Sequence, residues 1–111
     1  GTLDALQLLK AEGKLRAAGI SHKTPSGGAL AVAKGADVIM ATLNRTYLDE
    51  TTLIAQAAEQ GCGVLIKKAL SSGHGAATDL PWVAAHSGVH SIVVGTTNVQ
   101  HLEENVTFLT P

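Results

Sequence analysis

The chain has 111 residues, 45% hydrophobic and 15% charged, with a formal net charge of −1. That length suits one ordinary domain, and the composition allows a buried core and argues against intrinsic disorder. One Trp, one Tyr and one Phe, with no run of Lys or Arg, argue against a basic, stacking surface for nucleic acid. A single cysteine, Cys62, rules out an internal disulfide framework and leads us to expect a reducing, cytoplasmic setting. Apolar runs such as 63–66 are strand-sized, so no membrane partner is expected. The start, Gly1-Thr-Leu-Asp-Ala, has no initiator Met and no signal-peptide pattern, and it runs straight into a helical pattern. We therefore expect a piece of a longer protein.

Helical and strand-like segments alternate along the chain. Residues 2–12 carry Leu3, Leu6 and Leu9 at helical spacing, with Gly13 as the stop. Residues 14–20 form the first strand candidate. Pro25 opens a second helix, whose buried side is expected to hold Ala29, Leu30, Val32 and Ala33, and Gly35 ends it. Residues 37–42 are an uninterrupted apolar strand. A third helix, about 49–60, has the stripe Leu53, Ile54, Ala57 and Ala58, closed by Gly61. Strand 63–68 follows, then a short helix over 79–86 with Leu80, Val83 and Ala84. Strand 91–94 leads to the last helix, 98–109, with Leu102, Val106 and Leu109 expected inward.

The order is α-βα-βα-βα-βα, so strands joined by crossover helices must be parallel and covered. Units of about 25 to 30 residues occur both in α/β barrels and in doubly wound sheets. Periodicity does not separate the two. No Gly-x-Gly-x-x-Gly follows a strand, which counts against a Rossmann unit. A flavodoxin-like domain stays open.

Four phrases point to a family. They are Gly13-Lys-Leu-Arg16 running to Gly19-Ile-Ser21, Asp37-Val-Ile-Met-Ala-Thr-Leu-Asn44, Gly61-Cys-Gly-Val-Leu-Ile-Lys-Lys-Ala-Leu70 with Ser72-Gly73, and Ser91-Ile-Val-Val-Gly-Thr-Thr-Asn98 with His101-Leu-Glu-Glu-Asn105. In this order and at these spacings they resemble strands five to eight of the aldo/keto reductases, over nearly the whole chain. The resemblance implies the C-terminal half of a (β/α)8 barrel preceded by one helix, together a single partial domain over 1–111. It further implies a fragment of an NAD(P)H-dependent oxidoreductase that reduces aldehydes and ketones to alcohols. The catalytic Asp, Tyr, Lys and His of that family belong to the first half of the barrel, so no residue here is expected to be catalytic. A standalone half-barrel with a binding or structural role is the alternative.

The resemblance also implies site residues. Barrel enzymes carry their chemistry on loops at the C-terminal strand ends. Ser21 and His22 occupy the place where the family bonds the nicotinamide carboxamide, with His22 standing where Asn is usual; the plainer reading of His22 is an exposed turn residue. Met40 stands where many relatives carry a Gln, so that contact is in question. Asn44 is either a turn former or a pocket-lining group. Lys67 stands where an aromatic ring often meets the nicotinamide; Lys67 and Lys68 are otherwise two surface lysines, pointing to opposite faces. Leu70, Ser71 and Ser72 match the pyrophosphate loop. Thr96 and Thr97 precede a helix that Asn98 can cap, a setting suited to an anion. His101, Glu104 and Asn105 share the helix face that meets the adenosine 2′-phosphate in relatives. His101 replaces a frequent Arg and Gly95 a frequent Lys, so NADP is favoured with NAD possible. A carbonyl compound is the expected small-molecule partner of the parent. No metal is expected: His86 and His90 are separated by Gly88, which disfavours a helical ligand pair. Half a barrel would leave two open edges, so self-association or pairing with the missing N-terminal half is expected.

Overall fold

In the computed structural model, which describes residues 1–110, four parallel strands form one sheet in the order β1-β2-β3-β4. They are β1 (Gly19–Ser21), β2 (Val38–Thr42), β3 (Gly63–Lys67) and β4 (Ser91–Ile92). Helix α1 (Thr2–Ala11) precedes them, and α2 (Pro25–Ala33), α3 (Thr51–Glu59), α4 (Asp79–Ala84) and α5 (Val99–Leu109) follow the strands in turn. The register pairs Ile20 with Ile39, Ile39 with Val64, and Ile66 with Ile92. No strand order reverses, as a doubly wound sheet would require. The flavodoxin-like reading is excluded.

Alternation along β2 and β3 separates two faces. Ile39, Ala41, Val64 and Ile66 are fully buried, and they share one core with Ala31 of α2, Leu53, Ile54 and Ala57 of α3, and Leu80 and Val83 of α4. Each large aliphatic residue in that core contributes about 1.5–3 kcal/mol of transfer free energy. Val38, Met40 and Leu65 point to the other side, where with Gly19 and Ser21 they line a shallow apolar depression that no helix covers. Helices on one face and a bare opposite face are the arrangement of half a (β/α)8 barrel.

Local signals set the element ends. Thr24 caps α2, its Oγ1 accepting from Gly27 N at 3.1 Å, with Pro25 at the first helical position. Asn98 caps α5 by accepting from His101 N at 3.2 Å. Asp37 ties three segments together: its carboxylate accepts from Lys10 Nζ on α1 and from Ala18 N before β1, both at 2.8 Å. These bonds hold the Asp37 carboxyl below the ordinary aspartate range, the Lys10 bond foremost and the Ala18 N–H next.

Several expectations need correction. Leu102, Val106 and Leu109 of α5 are exposed, and the one buried residue of that helix is Asn105. Leu30, Ala29 and Ala33 also face outward, while Gly28 and Ala31 are the buried positions of α2. In α1 no residue is buried, although Leu3 packs on the core margin. An apolar stripe becomes a buried face only where a partner surface exists, and these stripes lie at the two ends of an open array. The outer strands are shorter than expected for the same reason: 14–18 and 93–94 lie outside the paired lengths of β1 and β4.

Candidate functional site

The C-terminal strand ends meet along one edge of the sheet, and two groups of polar residues gather there. The first lies at the ends of β1 and β3. Lys67, the last residue of β3, points to the bare face and reaches across β2. Its Nζ donates to Ser21 Oγ at 2.9 Å and to the His22 carbonyl at 2.6 Å. Residues 46 positions apart in the chain are thus joined at one spot. Lys68 leaves the strand in a left-handed conformation, φ 57°.

The His22 ring turns away from this spot. It is buried on the helix side, where Nε2–H donates to Glu50 Oε1, and the other carboxylate oxygen accepts from Thr42 N at 2.9 Å. The exposed-turn reading of His22 is therefore wrong, and its ring does not face the open edge; only its carbonyl contributes there. The imidazole fits because residue 28 is glycine: a Cβ on Gly28 would sit 2.7 Å from His22 Nε2 and 2.5 Å from Leu53 Cδ2. His22 Nδ1 is buried without a hydrogen-bond partner. Glu50, fully buried at the start of α3, is a residue that sequence reasoning missed. Its place before an apolar helix gave only a weak hint, since carboxylates are common near helix N-termini on exposed surfaces.

Asn44 is a turn former. Its Oδ1 accepts from Thr46 N and Thr46 Oγ1, and its Nδ2 donates to the Lys68 carbonyl at 3.0 Å. It thereby holds the loop after β2 against the end of β3. Met40 lies half-buried on the bare face.

The second group surrounds the loop after β3. Lys68, Ser71 and Ser72 all have left-handed backbones, with φ between 52° and 57°, and Gly73 follows at 93°. Each such non-glycine residue costs about 1–2 kcal/mol, and strain of this kind concentrates at functional sites. This loop and the β4–α5 connection border two adjoining clefts, of about 350 and 330 Å³. Leu70, Gly73 and Gly95 line both. Ser72 lines the first; Thr96, His101, Glu104 and Asn105 line the second. Seven of the residues expected from the sequence thus meet at one place, together with Val93, Val94, Ala76 and Ala77, which were not foreseen. Thr97 lies in the same connection without lining either cleft. Thr96 Oγ1 accepts from Asn98 N at 3.1 Å, so part of its role is to shape the cap of α5.

Each cleft falls within the usual range for small-molecule sites, about 300–1,000 Å³. Hydroxyls, an imidazole and a strained glycine-containing loop are suited to a polyanion, and the adjoining clefts suit an elongated one; Glu104 is the one acidic side chain lining them. The residues therefore suit an elongated anionic ligand better than a compact neutral one.

Other polar residues are engaged structurally. His86 Nδ1 donates to the Trp82 carbonyl at 2.8 Å, and His90 Nδ1 accepts from Val64 N at 3.1 Å. Among the described residues, no group of three or more His, Cys, Asp or Glu could hold a metal ion. Cys62 is buried in the turn before β3, and burial pushes its thiol pKa up. Among the described residues no helix is long and apolar enough to cross a membrane.

No protein-family model matches the chain, and no curated protein does. Solved structures do. A crystal structure of a protein of Pseudomonas aeruginosa, provisionally assigned as an aldo-keto reductase, is 38% identical with a TM-score of 0.85. A second structure, described in the same terms and from the same organism, gives 38% and 0.84. Each match covers 95% of this chain and 42% of the other. The chain spans less than half the length of the proteins it matches. Over nearly all of its own length, it is homologous to part of an aldo-keto reductase fold.

Proposed function

We propose that residues 1–111 are the C-terminal half-barrel of an NADP-dependent aldo/keto reductase and supply much of its cofactor site. The observation that carries this reading is the convergence of Leu70, Ser72, Gly95, Thr96, His101, Glu104 and Asn105 on two adjoining clefts at the C-terminal strand ends. The 38% identity to a protein provisionally assigned as an aldo-keto reductase supports it.

In this reading the loop around Ser72 and Gly73 receives the pyrophosphate, and Thr96 and Thr97 lie beside it at the head of α5. His101, Glu104 and Asn105 meet the adenosine end. Ser21 offers its hydroxyl to the nicotinamide carboxamide, and the His22 carbonyl holds Lys67 beside it. When bound, the dinucleotide supplies the hydride that converts an aldehyde or ketone to an alcohol. The proton donor and its partners belong to the other half of the barrel, so these residues bind and orient without catalysing. Without a positioned acid, a factor of about 10² to 10⁴ is missing. The 111 residues alone are expected to show no carbonyl reduction with NADPH.

Titration with NADPH and NADH, followed by fluorescence and by thermal midpoint, tests the reading. Binding at 100 times Kd raises stability by about 2.7 kcal/mol. NADPH is expected to bind more tightly, and His101→Arg to widen the gap by giving the 2′-phosphate a bidentate partner. If neither dinucleotide binds the full polypeptide that carries these residues, the reading is wrong.

A further inference from the structure

Lys67 has a placement that the cofactor reading leaves unexplained. It is half-buried, on the bare face of the sheet, next to the apolar floor of Met40 and Leu65. Two of its ammonium hydrogens are committed, to Ser21 Oγ and to the His22 carbonyl. Both acceptors are neutral. Among the described residues no carboxylate lies within ion-pair distance of Nζ, whereas Lys10, Lys14 and Arg45 each have one. The nearest buried carboxylate, Glu50, is occupied by the His22 ring and Thr42 N on the far side of the sheet. An uncompensated cation is thus pinned where the polar edge meets the apolar face.

The pin has two consequences. A Ser hydroxyl has one hydrogen and two lone pairs. Since Lys67 donates to Ser21 Oγ, the Ser21 hydrogen is directed elsewhere, and Ser21 presents a donor beside the third N–H of Lys67. The spot therefore recognises an acceptor oxygen, such as that of a carboxamide. The second consequence concerns charge. A nicotinamide ring is neutral when reduced and carries one positive charge when oxidised. At this spot the reduced ring meets a donor pair without repulsion, and the oxidised ring meets a fixed like charge.

We propose that Lys67 is a specificity-determining residue that makes the site select the reduced over the oxidised dinucleotide. The inference rests on the cofactor reading above. The phosphates, ribose and adenine are the same in both redox forms, so the ratio of the two dissociation constants isolates the ring. Like charges a few ångströms apart shift an equilibrium about fivefold in water and about a thousandfold at a protein surface of effective dielectric 20. The solvent-facing position of Lys67 favours the lower part of that range, so the preference due to its charge is expected to be about tenfold. By weakening the hold on the oxidised form, Lys67 would also speed its release.

The experiment measures dissociation constants of NADPH and NADP⁺ by isothermal titration on the full polypeptide carrying these residues, unaltered and as Lys67→Gln and Lys67→Arg. Glutamine can still donate to Ser21 Oγ or to the His22 carbonyl but carries no charge; arginine keeps the charge. Circular dichroism confirms that each is folded, and Lys67→Met serves if the glutamine variant is not. The ratio of Kd for NADP⁺ to Kd for NADPH is expected to fall about tenfold in Lys67→Gln and to stay within about threefold in Lys67→Arg. Tight binding of both forms with an unchanged ratio in Lys67→Gln would overturn the inference while leaving the cofactor reading intact. Failure of the unaltered protein to bind either form would overturn both.

Discussion

Replacing Glu50 with alanine should be among the most damaging single changes in this protein. The carboxylate is 1% exposed and accepts two hydrogen bonds, from the His22 ring and from Thr42 N. Its loss leaves both donors without a partner, one of them buried and the other half-buried. Each hydrogen bond to a carboxylate is worth about 1.5–3 kcal/mol, so losing both costs about 3–6 kcal/mol in total. A domain of this size has about 5–15 kcal/mol of stability in all, so Glu50→Ala should lie near the limit of folding. Glu50→Gln separates charge from shape. Its amide oxygen can still accept from Thr42 N, while its NH2 obliges His22 Nε2 to accept, which moves the ring hydrogen to Nδ1. That nitrogen has no partner in the native arrangement, so the glutamine variant should lose about 1–2 kcal/mol, less than alanine. Urea unfolding followed by circular dichroism measures both; with a slope of about 1–3 kcal/mol per molar, the alanine variant should shift the midpoint by more than 1 M. A loss below about 1 kcal/mol for Glu50→Ala, or equal losses for the two variants, would refute the reasoning.

Gly61 and Gly88 have nearly the same backbone, φ 80° and 91°, but a Cβ at 61 meets nothing within 4 Å while one at 88 lies 2.6 Å from the Ile54 carbonyl oxygen. Gly61→Ala should therefore cost only the left-handed strain, about 1 kcal/mol, and Gly88→Ala about 2 kcal/mol more; equal midpoints in urea would contradict this. Asp37 has a depressed folded-state pKa, so its stabilisation is fully present above the unfolded value and is lost as pH falls through the folded one. Asp37→Asn should accordingly destabilise at pH 7 and make progressively less difference as pH drops below about 3.9, and a pH-independent effect in denaturation experiments would exclude the charge as its cause. The strands β1 and β4 leave two unpaired edges, and Val38, Met40 and Leu65 leave an uncovered apolar face. The 111 residues expressed alone should thus self-associate or bind a separately expressed first half, which light scattering tests; a stable monomer at micromolar concentration that ignores the other half would count against it.

Much of the architecture could be read from local chemistry. Alternating periodicities, Pro25 at a helix start, Asn98 at a cap and glycines at helix ends act over a few residues, so they indicate elements without knowledge of the rest of the fold. The four family phrases extended this to strand order and to the residues at strand ends. Burial at the margins could not be read in that way. Leu30, Leu102 and Val106 have the pattern of inward faces yet are exposed, because amphipathicity describes a helix and burial depends on what lies beside it. The site shows the same division. Ser72, Thr96, His101 and Asn105 could be named one by one, but only the parallel pairing of β3 with β4 brings the loops that follow them onto adjoining clefts. The pairing of His22 with Glu50 and the bonds of Lys67 to Ser21 and His22 depend wholly on tertiary structure. A side chain at the end of a strand can turn to either side of the sheet, and which side it takes is decided by partners distant in the chain: a carboxylate on the helix side for His22, an open face for Lys67.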